Sequence, residues 1–418
     1  MADVSPLNAL HYDLEKVGSL QAVTAPPYDV IDADQRVELE ARSPYNVVEI
    51  DLPEPDDGGD RYEHSGALFE QWQRSGVLVR DPEPALWALA QDYTGPDGRP
   101  YTRRGFFARV RVEDYGPGRI RPHERTHPGP KEDRLRLTRA TKANLSPIFS
   151  LYDDPDGAAW GALAPHTEGE PWAAVSDEDG TEHRLWRVTD VAALDTVRAA
   201  LADTELLIAD GHHRYETARV YAEEIGGEGA HRYVLMCLVA LQDPGLTVFP
   251  THRLLTELPE DKRVALREAI TRDWEAEEIA PEQLQPAGDS LQVGYLDTHH
   301  QRPLMLSLRD PAIADAALPG KPEPYRRLDT AVLEALILQG ALGMTEDDIS
   351  HLHGLDYARS TEQARDRVEA GEVQAAFFMS PTPVERVRDV AAAGETMPPK
   401  STYFFPKVLT GMLLHPLS

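Results

Sequence analysis

An apolar run leads directly into a helical pattern in the segment Leu206-Leu207-Ile208-Ala209-Asp210-Gly211-His212-His213-Arg214-Tyr215-Glu216-Thr217-Ala218. The run 206–209 is typical of a buried strand, and Asp210 is a residue type that caps helices well. Apolar residues then recur at helical spacing, and Gly226-Gly227 ends the pattern. The sequence therefore predicts a strand, a tight turn and an amphipathic helix.

The turn between this strand and this helix has the residue types of a phosphate-binding site. Gly211 permits close approach of the backbone, and a helix N-terminus offers N–H groups and the positive end of the helix dipole. His212, His213 and Arg214 add donors that suit phosphate oxygens. A turn that binds no ligand is the alternative, because glycine-rich turns of this kind are common. The adjacent histidines and Arg214 favour a binding site.

The composition describes an acidic globular protein. The chain has 418 residues, of which 41% are hydrophobic and 27% charged, and its net charge is −29. These values indicate two or three folded domains and disfavour a disordered chain or a membrane protein. Since so acidic a surface repels the nucleic-acid backbone and no basic patch offsets it, we expect no nucleic-acid partner. Only seven of the 42 Lys and Arg residues are lysines, which makes a lysine inside a motif informative.

The single cysteine and the apolar segments indicate the compartment. Cys237 lies within the apolar run 234–241, which predicts a buried strand and a thiol in the core. One cysteine permits no intramolecular disulfide and no cysteine-cluster metal site. No apolar stretch approaches the roughly 20 residues that span a bilayer, and the first residues lack the pattern of a signal peptide. We expect a cytoplasmic protein with no membrane partner.

The chain is predicted to contain four regions. Residues 1–118 form an α+β region, and 119–256 form a compact α/β unit that contains the strand-turn-helix segment. Residues 257–393 form a second α+β region, and 394–418 form a tail that returns to the central unit. The tail is Pro-rich, yet it has three aromatic residues and two of the seven lysines, a mixture that a disordered tail would rarely keep.

Several local patterns refine these regions. Residues 47–50 follow a turn and read as a strand, whereas 85–94 and 105–112 read as a hairpin. A basic helix is predicted over 131–142, followed by a strand that ends at Tyr152. A polar insertion covers 153–190, and the sequence assigns it no role. Helices are predicted near 191–201, 259–274, 328–342 and 383–393, and a hairpin is predicted from 291–295 and 304–308.

Three segments resemble motifs of archaeal free-serine kinases, in the same order along the chain. They are Pro122-His123-Glu124, Asp210-Gly211-His212-His213-Arg214 and Pro398-Pro399-Lys400-Ser401-Thr402. The chain also resembles, over nearly its full length, the family called domain of unknown function 1015. That likeness depends on Ala25-Pro26-Pro27-Tyr28-Asp29-Val30-Ile31, on the motif at 210–218 and on Phe404-Phe405-Pro406-Lys407. The resemblance implies an α/β fold of mixed α+β type, with a ParB/sulfiredoxin-like central unit and N-terminal and C-terminal α+β extensions.

The kinase resemblance implies a nucleotide-dependent phosphotransferase for a small hydroxylated metabolite, with free serine as one candidate acceptor. It implies nucleotide binding, with ATP or ADP as donor and Mg²⁺ held mainly by the phosphates, at Asp210, Gly211, His212, His213, Arg214, Lys400, Ser401 and Thr402. Glu124 would be the general base, and His123 would orient it or contact phosphate. Thr402 precedes Tyr403-Phe404 where the kinases have Arg-His, so nucleotide binding carries over better than serine specificity. Lys400 is expected to lie near Arg214.

Other functions remain open from the residues alone. Without the family resemblance, the first interpretation of Glu124 is a surface carboxylate beside Arg121 and Arg125. The chain could be a ParB-like regulatory switch that hydrolyses nucleotide or performs no catalysis. It could also be a metal-dependent hydrolase that uses Asp210, His212 and His213 as ligands. Adjacent helical residues point about 100° apart, which disfavours two such histidines on one ion.

Overall fold

The computed structural model describes residues 2–54, 58–95, 97–124, 128–288 and 291–418. Its strands, numbered β1 to β21 in chain order, are Val4–Ser5, Leu10–Tyr12, Leu78–Arg80, Leu86–Thr94, Pro100–Arg111, Ile120–Arg121, Ala143–Asn144, Ile148–Tyr152, Ala173–Ser176, Glu182–Val188, Leu206–Asp210, Tyr233–Ala240, Thr247–Phe249, His252–Leu255, Trp274–Glu278, Gln292–Asp297, Leu304–Leu308, Leu355–Ala358, Ala375–Phe378, Tyr403–Phe405 and His415–Pro416. Its α-helices, numbered α1 to α16, are Leu14–Val17, Leu20–Val23, Ala33–Arg42, Val48–Asp51, Arg61–Arg74, Pro128–Thr141, Ala158–Leu163, Val191–Leu201, His212–Ile225, Glu260–Asp273, Pro311–Ala317, Glu323–Arg326, Asp329–Leu333, Glu346–Ser350, Thr361–Glu369 and Val384–Ala392. The fold is of mixed α+β type, as predicted.

The chain forms two compact units. The first comprises Met1–Pro122, Thr126–Leu246 and Pro406–Ser418, and the second comprises His123–Arg125 and Thr247–Phe405. This division differs from the four predicted regions. The difference arises because β5, from the first predicted region, pairs along its length with β12, from the second, so both regions share one sheet.

The first unit is built on a nine-stranded sheet in the order β6-β11-β8-β12-β5-β4-β10-β9, with β1 paired to β5. The central strand β12 is buried along nearly its whole length, as expected for an apolar run covered on both faces. Cys237 lies in this strand and is fully buried, which confirms the predicted core thiol. Burial raises the pKa of the Cys237 thiol to about 12, which favours the protonated thiol over the thiolate.

Helices of the first unit cover this sheet through apolar faces with helical spacing. In α8, Asp190 caps the N-terminus through Ala193 N (2.9 Å), and Leu194, Val197 and Leu201 are buried. The polar insertion contributes β9 and β10, and β10 pairs with β4, so the insertion extends the main sheet.

The prediction of a strand at 47–50 is wrong, because this segment forms helix α4. The side chain of Asn46 accepts a hydrogen bond from Val48 N (3.1 Å), which turns the chain into a helix. The alternation of Val48 and Ile50 resembled a strand, but both side chains are buried in the short helix.

The second unit is built on a six-stranded sheet in the order β15-β17-β16-β19-β14-β18. Its predicted hairpin forms as β16 and β17, and its predicted helices near 259–274 and 383–393 form as α10 and α16. The predicted helix at 328–342 forms as α13 followed by a π-helical stretch, Glu334–Ala341. A separate two-stranded pair joins β13 to β20. Among the described residues of either unit, no helix combines the length and apolar character that a bilayer crossing requires.

Candidate functional site

The turn that precedes α9 has the predicted strand-turn-helix geometry but a different cap. Gly211, not Asp210, is the N-cap residue, and its φ of +97° lies in the left-handed region that favours glycine. A Cβ at this position would lie 3.0 Å from Arg214 Nε. Asp210 instead ends strand β11. The turn therefore favours glycine through its backbone conformation, and any larger residue would require Arg214 to shift.

The carboxylate of Asp210 is bound by two cations. Lys407 Nζ donates to Oδ2 at 2.9 Å, and Arg214 Nη2 lies 3.6 Å from Oδ1. Burial opposes ionisation here, but the charges of Lys407 and Arg214 outweigh it and hold the pKa of Asp210 well below its usual range. Asp210 is therefore ionised. The prediction that Asp210 caps the helix is wrong, because its carboxylate oxygens form ion pairs with Lys407 and Arg214 instead.

Arg214 also lines a cavity of the first unit. Its guanidinium donates to the Pro147 carbonyl, and its side chain is only 11% exposed. Polar side chains form much of the cavity wall, namely those of Tyr28, Asp51, Arg134, Ser146, Arg214 and Thr217. The cavity therefore presents two guanidinium groups, a phenol and hydroxyls beside the Gly211 turn.

The far wall of this cavity is a buried ion pair. Arg134 Nη1 lies 3.1 Å from Asp51 Oδ1, and its Cζ lies 4.2 Å from the centre of the Tyr28 ring. Burial raises the pKa of Asp51, and it raises the pKa of Tyr28 to about 12. Tyr28 belongs to the motif at 25–31, so two family motifs, at 25–31 and 210–218, meet at one cavity.

Lys407, from the third motif that carries the family resemblance, contacts Asp210 beside the Gly211 turn. Arg103 and Gln91, both fully buried, fix its backbone: Arg103 Nη2 donates to the Pro406 carbonyl (2.5 Å) and Gln91 Nε2 to the Lys407 carbonyl (3.1 Å). Lys407 belongs to a motif that carries the family resemblance, but it is not among the site residues predicted from the sequence. The signal was present, since Lys407 is one of only seven lysines.

The second unit holds the remaining predicted residues. His123 is fully buried, and its Nε2 is hydrogen-bonded to Thr402 Oγ1 at 2.8 Å. Its carbonyl accepts from Met397 N at 2.7 Å, and its ring centroid lies 5.9 Å from that of Phe404. The predicted motifs at 122–124 and 398–402 therefore meet within this unit.

Glu124 lies beside His123, with its Oε1 3.9 Å from His123 Nε2 and its side chain 29% exposed. Burial raises the pKa of Tyr357, and the charge of Glu124 contributes to that rise, which places the carboxylate near the phenol. Arg125, the predicted surface partner of Glu124, lies outside the described residues. The other predicted partner, Arg121, donates to Glu205 at 2.9 Å.

Lys400 and Ser401 differ sharply in environment. Lys400 is exposed and has a φ of +55°. Ser401 is buried, and its hydroxyl donates to the Pro398 carbonyl at 2.7 Å and lies 3.3 Å from Thr330 Oγ1. The hydroxyl of Ser401 thus supports the local fold.

The predicted site residues form two groups. Asp210, Gly211, His212, His213 and Arg214 lie in the first unit, and His123, Glu124, Lys400, Ser401 and Thr402 lie in the second. Proximity of Lys400 to Arg214 stays a prediction. Within the described part of the chain, no three His, Cys, Asp or Glu side chains are grouped to hold a metal ion, so Asp210, His212 and His213 do not form the predicted hydrolase centre.

Residues 4–331 match the protein family described as "Protein of unknown function (DUF1015)". The chain belongs to this family. No curated protein matches this DUF1015 chain.

Among solved structures, the chain is similar to a free serine kinase in complex with AMP, with 15% identity, a TM-score of 0.35 and coverage of 68% of this chain and 83% of that one. It is similar to a conserved hypothetical protein from Pyrococcus furiosus at 15% identity and a TM-score of 0.35, covering 68% and 86% of the two chains. It is also similar to C-terminally truncated SbnI from Staphylococcus aureus at 10% identity and a TM-score of 0.37, covering 73% and 85%. Similarity of this degree assigns no activity.

Proposed function

We propose that this chain is a nucleotide-dependent phosphotransferase that acts on a small hydroxylated metabolite. The observation that carries the proposal is the meeting of Arg214 and Lys407 on Asp210, at the glycine turn that opens a 14-residue helix. Two cations beside a helix N-terminus form an environment suited to phosphate groups.

Asp210 holds the two cationic side chains of this arrangement in position. An ionised carboxylate between Lys407 and Arg214 keeps both long side chains at the turn, where donors must be in place before phosphate arrives. In this proposal ATP or ADP is the donor, and Mg²⁺ is bound mainly by phosphate oxygens, where it neutralises their charge. His212 and His213, the first residues of α9, stand as further phosphate ligands.

Glu124 is the proposed general base. A carboxylate can accept the proton of an acceptor hydroxyl as the bond to phosphorus forms. The buried His123 beside it is fixed by Thr402 and by Met397, so it can position Glu124. Free serine is the first acceptor to test, because the motif resemblance points to it, and Lys400 is the proposed additional nucleotide contact.

Calorimetry with ATP and with ADP, each in the presence of Mg²⁺, tests the proposal directly. We expect Arg214→Ala to weaken nucleotide binding by about 1–3 kcal/mol, the scale of lost charge-assisted hydrogen bonds. Arg198→Ala is the matched control, since Arg198 is 55% exposed and pairs with Asp195 within α8. Equal affinities of wild type and Arg214→Ala would refute nucleotide binding at this turn. Incubation with serine and nucleotide, followed by mass spectrometry, then tests the acceptor.

A further inference from the structure

A second cavity lies wholly within the second unit, where the chain enters helix α16. The residues that lead into the helix, Pro381, Thr382 and Pro383, form part of its wall. The side chains of Arg327, Asp329, Ser380 and Arg386 also line the cavity. The cavity therefore combines a helix start, two hydroxyls, a carboxyl and two guanidinium groups.

Two features of this cavity offer hydrogen-bond donors. Helix α16 has nine residues, and no side chain caps its N-terminus. The Ser380 hydroxyl has no hydrogen-bond partner among the described residues, although the residue is only 7% exposed. A buried hydroxyl without a hydrogen-bond partner destabilises the fold, so it indicates a ligand or a bound water.

Asp329 adds a feature that a simple anion site would lack. Its carboxyl accepts from Thr330 N (2.6 Å) and Ser380 N (3.2 Å). A carboxylate has about four lone-pair positions, which leaves room for a further donor. Burial raises the pKa of Asp329 to about 6, although Arg253 on β14 and Arg386 on α16 lower it. A fully deprotonated anion would be repelled by this group, whereas an anion that carries a proton could donate to it.

We propose that this cavity binds a protonated phosphate oxyanion, either inorganic hydrogen phosphate or a phosphorylated small molecule in its monoanionic form, which keeps one P–OH group. Its oxygens accept hydrogen bonds from the Ser380 hydroxyl and the N-terminus of α16, and its P–OH group donates to Asp329. Arg386 contributes positive charge at the wall. Sulfate has the same shape but no proton at neutral pH, so the site discriminates against it. This inference is independent of nucleotide binding in the first unit.

Titration calorimetry of the full chain at pH 7 tests the site with three probes at equal ionic strength: sodium phosphate, sodium sulfate and glycerol 3-phosphate. We expect phosphate to bind at least about tenfold more tightly than sulfate. Ser380→Ala should weaken phosphate binding about fivefold or more, the scale of one hydrogen bond. Tighter binding of inorganic phosphate would identify the free ion as the ligand, and tighter binding of glycerol 3-phosphate would identify a phosphorylated metabolite.

A matched control variant separates loss of this site from a general effect of substitution. Ser350→Ala, at an exposed serine of α14, should leave phosphate binding unchanged. Asp329→Asn should reduce the ratio of phosphate affinity to sulfate affinity, because the variant binds sulfate more tightly. An unfolded variant could not show that gain. Three results would overturn the proposal: no binding of phosphate or its ester, equal binding of sulfate by wild type, or phosphate binding that Ser380→Ala leaves intact.

Discussion

Asp210 in the first unit and Asp329 in the second are both largely buried carboxyl groups, yet their pKa values shift in opposite directions. Burial favours the protonated form at both positions. At Asp210 the ammonium of Lys407 and the guanidinium of Arg214 reverse this effect. At Asp329 the direct donors are the backbone N–H groups of Thr330 and Ser380, and the pKa rises to about 6.

The comparison shows that the groups in contact with a buried carboxyl, and not burial alone, determine whether that carboxyl is ionised. In the first unit, opposite charges hold one another at the Gly211 turn. At Asp329 in the second unit, the direct hydrogen-bond donors are neutral backbone N–H groups. We therefore propose that fixed positive charges bind phosphate in the first unit. In the second unit, we propose that carboxyl groups accept a proton or a hydrogen bond from the ligand.

The largest effect expected from this comparison is on turnover. Glu124→Gln should retain nucleotide affinity but lose turnover by roughly 10²-fold or more, because an amide cannot accept the hydroxyl proton. Steady-state kinetics with an identified acceptor, alongside calorimetry, measures both quantities. Glu372→Gln, at a carboxylate of the second unit that is 61% exposed, is the control. Wild-type turnover by Glu124→Gln would return Glu124 to the role of a surface carboxylate.

The second-largest expected effect is on how the free energy of unfolding depends on pH. A carboxyl whose pKa is higher in the folded than in the unfolded state binds its proton more tightly when folded. Asp329 should therefore stabilise the fold at low pH and lose about 2 kcal/mol of that contribution as pH rises from about 4 to about 6. Urea unfolding of wild type and Asp329→Asn at several pH values measures the difference. A constant difference between the two proteins over this range would contradict the prediction.

The smallest expected effect is on nucleotide affinity, and it distinguishes the two lysines of the C-terminal motifs. Lys407→Ala should weaken nucleotide binding by about 1.5 kcal/mol, or roughly tenfold, because Lys407 Nζ is fixed at Asp210. We expect a smaller loss for Lys400→Ala, since Lys400 is exposed. Lys262→Ala, on α10, serves as control. A larger loss at Lys400 than at Lys407 would move the proposed phosphate contacts to the second unit.

Local patterns predicted much of the secondary structure of this chain. The helices near 191–201 and 260–273, the strand around Cys237 and the hairpin of β4 and β5 follow from periodicity and turn residues. The segment at 47–50 failed because two alternating apolar residues cannot distinguish a strand from one helical turn, and the Asn46 side chain decided between them.

The strand-turn-helix at 206–225 follows from the sequence, since an apolar run, a glycine and a helical repeat are local properties. The scarcity of lysine also makes Lys407 unusual within its motif. The contact between Lys407 and Asp210, which are 197 residues apart, and the role of Asp210 as an ion-pair partner instead of a helix cap are seen only in the folded chain. These contacts join distant segments through the packing of buried groups such as Arg103 and Gln91, and local periodicity contains no information about that packing.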